Sequence, residues 1–292
     1  MLSKDFLKGL VFSGLGSFWW GVIGVIYFKH FSFVGPIELV VHRTIWTTLI
    51  LLITTSIFFK WEPFKIIFFN KRNLLYLSLS SLLIFINWSV WIYAVATNRI
   101  IDASFGYFIF PILSVFFGNL FFKEKLNKRR IIAIILVIFS IIYLLFNLQS
   151  IPWVGIVVAL AWVFYNLIRK KINVDVDIGL LIESIIILPF ALIIFYFIIQ
   201  NNQNDFSLSN IPLSLLLMLA GPMTVIPLFL YVKGVAYSGL GSSGMIFFIT
   251  PTGQFLLGFF YYNELFTIQK LISFILIWIA VIIYLRDLYL NK

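Results

Sequence analysis

Residues 103–124 read ASFGYFIFPILSVFFGNLFFKE, and residues 243–264 read SGMIFFITPTGQFLLGFFYYNE. The two stretches match in register at a proline, a glycine and a terminal glutamate, which are Pro111 and Pro251, Gly118 and Gly258, and Glu124 and Glu264. Each stretch is apolar over roughly the 20 residues that a helix needs to cross the hydrocarbon core of a membrane. A long apolar segment that recurs within one chain predicts a membrane protein built from two similar halves.

The composition of the whole chain also indicates a membrane protein. Of its 292 residues, 62% are apolar and 11% are charged, whereas soluble domains carry about 25% charged residues. Ten apolar segments are predicted to span the membrane, at residues 6–28, 34–58, 74–97, 101–122, 131–147, 152–168, 178–200, 212–236, 240–262 and 268–286. We therefore predict an all-α integral membrane protein with ten transmembrane helices.

The net charge of +10 raises the question of nucleic-acid binding, but the positions of the basic residues indicate a membrane topology instead. If the N-terminus is cytoplasmic, sixteen Lys and Arg residues fall in cytoplasmic segments and three fall on the opposite side. The cytoplasmic set includes the run Arg169, Lys170 and Lys171. This bias follows the positive-inside rule and predicts that both termini are cytoplasmic.

Five spans in each half force the two halves into opposite orientations, because an odd number of crossings reverses the second half. We predict two inverted five-helix repeats, at residues 1–148 and 149–292, which together form one integral transport domain. The hydrophilic links between spans are short, so no separate soluble domain is predicted.

The second predicted span contains three ionisable residues, Glu38, His42 and Arg43, in the run VGPIELVVHRTIWTTLILLI. An ionisable group near the bilayer centre costs about 2.5–3.5 kcal/mol on insertion scales, so such groups usually face a bundle interior or a water path. Glu38 and His42 are four residues apart and share a helix face. Two interpretations remain open: an internal structural ion pair, or a cluster that faces a substrate or a gate.

Other polar and aromatic residues within the spans are candidates for contact with a small molecule, although packing is the alternative for the aromatic ones. The predicted substrate-binding residues are Glu38, His42, Arg43, Asn87, Trp88, Trp91, Tyr107, Tyr165, Asn166, Glu183, Tyr231 and Gln254. Glu183 lies near the start of its span, as Glu38 does, and this placement suits paired gates at opposite ends of inverted halves.

Prolines inside the predicted spans mark candidate hinges. A proline removes a backbone donor and frees a carbonyl, which a membrane tolerates only where neighbours or water satisfy the freed group. The predicted hinge residues are Pro111, Pro251, Pro222 and Pro227.

Several motifs together resemble one transporter family. They are ELVVHRTIW (38–46), NW (87–88), DASFGYFIFP (102–111), FYNLIRKKI (164–172), GLLIES–LP (179–189) and TVIPL (224–228). With this spacing the chain is similar to the RarD branch of the EamA-type drug/metabolite transporters, whose members are labelled chloramphenicol-sensitivity proteins or predicted permeases. The resemblance implies a multi-pass carrier of the bacterial inner membrane with a central cavity. Phe110 and Lys233 stand where the family pattern leads us to expect an asparagine and a small neutral residue.

The residues and the resemblance together predict a secondary active transporter, or permease, that moves a small metabolite or amino-acid-like solute by alternating access. Neither a cofactor nor a metal ion is expected, and the chain is not expected to be an enzyme. A coupling proton is a further expectation, because His42 can titrate near neutral pH. The expected partners are the small-molecule substrate and the lipid bilayer, without nucleic acid, and the oligomeric state stays open.

Two alternatives to a transporter remain open. A non-transporting or lipid-handling membrane protein would use the basic loops to meet anionic headgroups, but the positive-inside rule already accounts for those loops. An intramembrane enzyme would need a nucleophile with its base, or metal ligands. Two histidines, no cysteine and no clustered carboxylates argue against it.

Overall fold

The computed structural model describes residues 3–31, 33–97, 100–124, 126–146, 153–172, 174–261 and 268–290. Within these ranges every regular element is helical. The elements are α1 (Lys4–Phe18), a π-helical turn (Trp19–Ile23), α2 (Gly24–His30), α3 (Pro36–Ile57), α4 (Trp61–Phe68), α5 (Lys71–Ala96), α6 (Ile100–Phe122), α7 (Lys128–Phe146), α8 (Trp153–Lys171), α9 (Val176–Gln200), a 3₁₀ turn (Leu208–Asn210), α10 (Ile211–Met218), α11 (Ala220–Ser238), α12 (Leu240–Ile246), α13 (Ile249–Phe260) and α14 (Ile268–Leu290).

Six segments of the described residues are long and apolar enough to cross a membrane. They are Lys4–His30, Pro36–Ile57, Lys71–Ala94, Trp153–Lys171, Val176–Gln200 and Leu208–Ser238. The prediction of an all-α membrane protein is therefore confirmed, whereas the total of ten spans in two inverted repeats stays a prediction. Glu264 and the predicted repeat boundary at residues 148–149 lie outside the described residues.

The helices α1–α7 pack mainly against the helices α8–α14. The principal pairs are α1 with α11, α3 with α9, α5 and α6 with α8, α6 with α12, and α7 with α14. Small residues bring α1 and α11 close together, since Gly9 lies against Ser238 and Gly234 lies against Ser13. Close approach at small residues is the usual means of helix association in membranes. The interior of the protein thus lies between its two halves.

A π-helical turn joins α1 to α2, where the Gly24 N–H bonds to the Trp19 carbonyl. Such turns are rare and occur frequently at functional sites. Gly21, within the turn, packs directly against the Thr250 backbone. The indole of Trp20 lies against Trp162 on α8, with 5.1 Å between ring centroids. The turn therefore brings a tryptophan of α1–α2 to the interface between the halves.

Helix interruptions occur just before two of the predicted hinge prolines. A proline has no N–H to donate to the carbonyl four residues earlier. α10 gives way to α11 just before Pro222, and α12 gives way to α13 just before Pro251. Pro111 and Pro227 lie instead inside the continuous helices α6 and α11. The hinge role of all four residues stays a prediction.

Candidate functional site

A cavity lies between the two halves, with about 480 Å³ of empty space that includes its open mouth, and we call it the Arg43 cavity. Its lining residues are Trp20, Gly24, Phe28, Arg43, Asn87, Trp88, Trp91, Tyr107, Trp162, Phe247 and Gln254. Most of them are aromatic, one is a cation and two are amides. Small-molecule sites are typically concave and apolar with a few placed polar groups, so this cavity is the candidate binding site.

Arg43 supplies the positive charge of the Arg43 cavity. The residue is 4% exposed, and its Nε donates a hydrogen bond to Thr224 Oγ1 at 2.8 Å. Its guanidinium carbon lies 4.4 Å from the ring centroid of Trp88 and 5.3 Å from that of Phe28, at cation–π distance. Among the described residues, no carboxylate lies within ion-pair distance of this guanidinium. Within the described part of the chain, its charge is thus buried without a carboxylate beside it.

Aromatic rings form much of the wall of the Arg43 cavity. Phe247 lies 5.5 Å from Tyr107 and 4.8 Å from Phe110, measured between ring centroids. Phe110 is fully buried, so the phenylalanine at this position contributes packing where an asparagine would contribute an amide. Lys233 lies elsewhere, with its Nζ 5.2 Å from the ring centroid of Phe229.

The predicted substrate-binding residues fall into three groups. Those that line the Arg43 cavity are Arg43, Asn87, Trp88, Trp91, Tyr107 and Gln254. Glu183 lines a second cavity. The other five, which are not among the residues lining either cavity, are Glu38, His42, Tyr165, Asn166 and Tyr231.

Three of those five contact Trp162. The rings of Tyr165 and Tyr231 pack on Trp162, with centroid distances of 5.3 and 5.5 Å. The Asn166 amide donates to the Trp162 carbonyl at 2.8 Å. The two tyrosine rings therefore pack the Trp162 ring in position, whereas the Asn166 bond is to the backbone of its own helix.

Glu38 and His42 secure the loop between α9 and α10. Glu38 is 2% exposed and accepts backbone N–H bonds from Asp205 at 2.9 Å and Phe206 at 3.0 Å. The His42 Nε2 lies 3.3 Å from the Glu38 carboxylate, and its Nδ1 accepts from the Trp46 indole at 3.2 Å. Both ring nitrogens are therefore engaged, and this geometry favours the structural interpretation of the pair. Partial burial and the nearby Glu38 carboxylate raise the pKa of Asp205 above its ordinary value.

A second cavity of about 270 Å³, which we call the Glu183 cavity, adjoins the first. Its lining residues are Thr47, Leu51, Ile84, Trp88, Leu180, Glu183, Ser184, Ile187, Val225 and Leu228. Trp88 belongs to both linings, so its indole is the wall that the two cavities share. The Glu183 carboxyl group is bonded to the hydroxyls of Ser80 and Tyr165, at 2.5 and 3.2 Å.

Arg169 is buried beside Glu183, although the sequence places it in a cytoplasmic basic run. The residue is 5% exposed, and its Nε lies 3.6 Å from Glu183 Oε1. Gly179 faces the guanidinium and has no side chain to fill the space that it occupies. The opposing glycine thus accounts for the burial of a residue that charge counting assigns to the membrane surface.

Replacing Trp88 tests whether its side chain separates the Arg43 cavity from the Glu183 cavity. We expect Trp88→Ala to join them, with a loss of stability of about 3–5 kcal/mol for truncating a buried tryptophan. The chain contains no cysteine, so Ser184→Cys in the Glu183 cavity is a unique thiol. That thiol should react faster with a small methanethiosulfonate reagent when Trp88 is alanine. Exposed Ser56→Cys should react equally in both backgrounds, and an unchanged rate at position 184 would contradict the expectation.

Ionic contacts join the halves at the end of the bundle where α3, α6 and α8 finish. Lys60 pairs with Asp177, and Lys170 lies 2.6 Å from the Glu124 carboxylate. Glu124 also accepts the backbone N–H groups of Leu240 and Gly241, at 2.8 and 2.9 Å. The glutamate that ends the first copy of the repeated stretch therefore caps α12, the helix that opens the second copy.

The comparisons with known proteins agree with this architecture. The EamA-like transporter family matches residues 7–146. The chain is 31% identical over 287 residues to Protein RarD of Escherichia coli, covering 98% of this chain and 97% of that one. It is 34% identical over 284 residues to an uncharacterized transporter of Vibrio cholerae, covering 97% and 94%. It is 32% identical over 280 residues to the uncharacterized transporter YojE of Bacillus subtilis, covering 95% and 93%.

The likenesses to these three relatives extend over nearly the whole length of both chains, and they accompany helices that can cross a membrane. They support a multi-pass protein of the bacterial inner membrane. The chain therefore belongs to the EamA-like transporters, as a member of their RarD branch.

Proposed function

We propose that this transporter is a secondary carrier that moves a small carboxylated, amino-acid-like metabolite by alternating access, and that the Arg43 cavity binds it. The Arg43 guanidinium carries the proposal, because it is a buried charge that faces a cavity and has no carboxylate within ion-pair distance among the described residues. A buried charge without a partner is unfavourable. A carboxylate ligand would supply the missing partner through charge-assisted hydrogen bonds.

The rest of the lining suits a ligand that combines the carboxylate with a planar apolar group. Trp20, Trp88 and Phe247 present ring surfaces to the cavity. The Asn87 amide nitrogen donates to the Val158 carbonyl at 3.0 Å, which orients the amide and leaves its oxygen as an acceptor. An acceptor near aromatic rings also suits an ammonium group. A zwitterion that carries an aromatic or apolar side chain meets all of these groups.

The proposal is tested by the thermal stability of purified protein in the presence of candidate ligands. A ligand that binds the native state raises the melting temperature by mass action. The panel pairs carboxylated compounds with analogues in which an uncharged amide replaces the carboxylate, such as L-phenylalanine with L-phenylalaninamide. We expect stabilisation by carboxylated members only. Stabilisation by the amides to the same extent, or transport without any preference for carboxylates, would overturn the assignment.

The helix contacts support two repeats that correspond to residues 1–148 and 149–292. In the two proposed repeats, α1 corresponds to α8, and α5 corresponds to α11. When each helix is exchanged for its counterpart, the contact of α1 with α11 becomes that of α8 with α5. The contact of α6 with α8 becomes that of α12 and α13 with α1, and the pair of α3 and α9 maps onto itself. All of these contacts are present. An exchangeable set of contacts is what alternating access between two repeats requires.

The proposed topology places both termini in the cytoplasm. The Lys60–Asp177 and Lys170–Glu124 contacts then close the inner end, while the Arg43 cavity lies in the outer half. Because the chain lacks cysteine, a single introduced thiol reports the side on which it lies. We expect a membrane-impermeant maleimide to label exposed Gln203→Cys in intact cells, and Lys65→Cys only after permeabilisation. If Lys65→Cys is labelled in intact cells and Gln203→Cys only after permeabilisation, the topology is the opposite of the one proposed.

A further inference from the structure

We propose that Glu183 binds and releases a proton in a buried site separate from the Arg43 cavity, and that this site couples the carrier to proton movement. The inference rests on the proposed transport function and adds a ligand, the proton, at a second place in the fold. It also moves the coupling proton away from His42. Both nitrogens of His42 are already engaged, by Glu38 and Trp46.

The Ser80 hydroxyl gives Glu183 a hydrogen-bonded arrangement in either protonation state. Ser80 Oγ lies within hydrogen-bond distance of two oxygens, 3.1 Å from the Leu77 carbonyl and 2.5 Å from Glu183 Oε1. A hydroxyl has one proton to donate but can also accept. When Glu183 is ionised, Ser80 donates to Oε1. When Glu183 is protonated, the new Oε1–H donates to Ser80, whose own proton turns to the Leu77 carbonyl.

Arg169 stabilises the ionised form of Glu183 but makes no hydrogen bond that would hold the carboxyl group in that form. Its Nη2 donates to the Val176 carbonyl at 3.0 Å, and its Nε lies 3.6 Å from Glu183 Oε1, beyond hydrogen-bond distance. Among the described residues, the Nε and Nη1 groups of Arg169 have no hydrogen-bond partner. The cation is therefore near enough to attract the carboxylate through space, yet it makes no hydrogen bond to it.

The groups that face Glu183 from each packed helix are few. From α8 they are Arg169 and Tyr165, and the Tyr165 hydroxyl bonds Oε2 at 3.2 Å. From α5 the facing polar group is Ser80. The residues that α3 and α11 contribute to the cavity wall are Thr47, Leu51, Val225 and Leu228, and α4 contributes Phe64, Ile67 and Phe68 to the packing around α9. Arg169 is thus the charge that faces this carboxyl group within the described part of the chain.

Other buried carboxylates among the described residues are held differently. Glu38 accepts three hydrogen bonds from two backbone N–H groups, and Asp287 accepts from the Arg130 Nε at 2.9 Å and from the Asn127 amide at 2.6 Å. N–H groups of this kind can donate but cannot accept, so they favour the ionised carboxylate and cannot receive a hydrogen bond from the protonated one. The hydrogen bonds to Glu183 come from hydroxyls, which can donate or accept. Glu183 also lines the adjoining Glu183 cavity.

Infrared spectroscopy of the purified full-length protein tests proton binding directly. The carbonyl stretch of a protonated buried carboxyl group is followed while the pH is varied from about 5 to 8. We expect a band that disappears as the pH rises, that is absent in Glu183→Gln and that remains in Glu38→Gln. Glu38→Gln is the matched control because it alters a buried carboxylate at the corresponding position of the other half. Ser80→Ala, which keeps Glu183, should displace the midpoint of the titration.

The outcomes separate this inference from the proposed function. A band that persists in Glu183→Gln, or a Ser80→Ala titration identical to that of the wild type, would overturn proton binding at Glu183. Because the measurement needs no transported ligand, that result would leave the carrier proposal standing. In proteoliposomes with L-phenylalanine as the probe, a pH gradient should drive accumulation by the wild type and not by Glu183→Gln. Equal accumulation by both would overturn the coupling role alone.

Discussion

Replacing Arg43 with alanine is expected to weaken the binding of carboxylated ligands roughly 10- to 150-fold, the equivalent of about 1.5–3 kcal/mol for a hydrogen bond to a charged group. The physical reason is that Arg43 is the cation in the lining of the Arg43 cavity. Arg43→Lys should give an intermediate affinity, because an ammonium keeps the charge but loses the planar fork that matches a carboxylate. The measurement is the Kd of each variant from calorimetry or thermal shift.

Two controls make the Arg43 result specific. Arg72→Ala removes a basic residue that lies over the Tyr76 ring, 6.0 Å from its centroid, outside the cavity lining. It should leave the affinity unchanged. The amide analogue, which lacks the carboxylate, should stabilise neither the wild type nor Arg43→Ala. If the carboxylated ligand binds both proteins equally well, Arg43 has a structural role and the cavity recognises its ligand by other groups.

Replacing Glu38 with alanine is expected to lower the free energy of unfolding by about 3–5 kcal/mol, as removal of one partner from a buried hydrogen-bonded pair does. The substitution leaves the backbone N–H groups of Asp205 and Phe206, together with the His42 Nε2, without their acceptor. The effect should appear as a lower melting temperature in the absence of ligand. Glu62→Ala, at an exposed position on α4, should leave the melting temperature near that of the wild type.

A second measurement distinguishes the structural role of Glu38 from a binding role. Glu38→Gln keeps an oxygen that can accept from the loop, so it should recover part of the lost stability. Its ligand affinity should stay close to the wild-type value. A loss of affinity at normal stability would place Glu38 in the binding machinery and contradict the geometry described above.

The sequence predicted the helical membrane fold because apolar segment length is a physical requirement of the bilayer. It also predicted several residues of the cavity, since Arg43, Asn87 and Trp88 lie on two spans where polar and indole groups are costly without a function. The sequence did not separate Arg43 from its neighbours Glu38 and His42. Arg43 faces the cavity, whereas His42, one position earlier on the same helix, faces the loop between α9 and α10. That loop contacts Glu38 through Asp205 and Phe206, which lie 167 and 168 residues further along the chain.

Other features depend on tertiary contacts that no local pattern encodes. Trp162 and Phe247 reach the cavity because helices from different parts of the chain cross there, and aromatic residues are common throughout these spans. The burial of Arg169 depends on Gly179 across the helix interface. The cap that Glu124 forms on α12 joins two copies of a repeated stretch. Sequence comparison detects that repeat but does not show that the copies touch.

The cap on α12 connects Glu124, at one end of this helix, with Phe247 at the other. Glu124 holds one end of α12 through the Leu240 and Gly241 amides, and the other end runs into Phe247, whose ring lines the Arg43 cavity. The helix between them has 7 residues, so these ends are about 10 Å apart at 1.5 Å per residue. A helix this short does not bend appreciably, so a displacement of one end moves the whole helix as a rigid body. Loss of the Lys170–Glu124 contact is therefore expected to move α12, and with it the Phe247 ring that lines the Arg43 cavity.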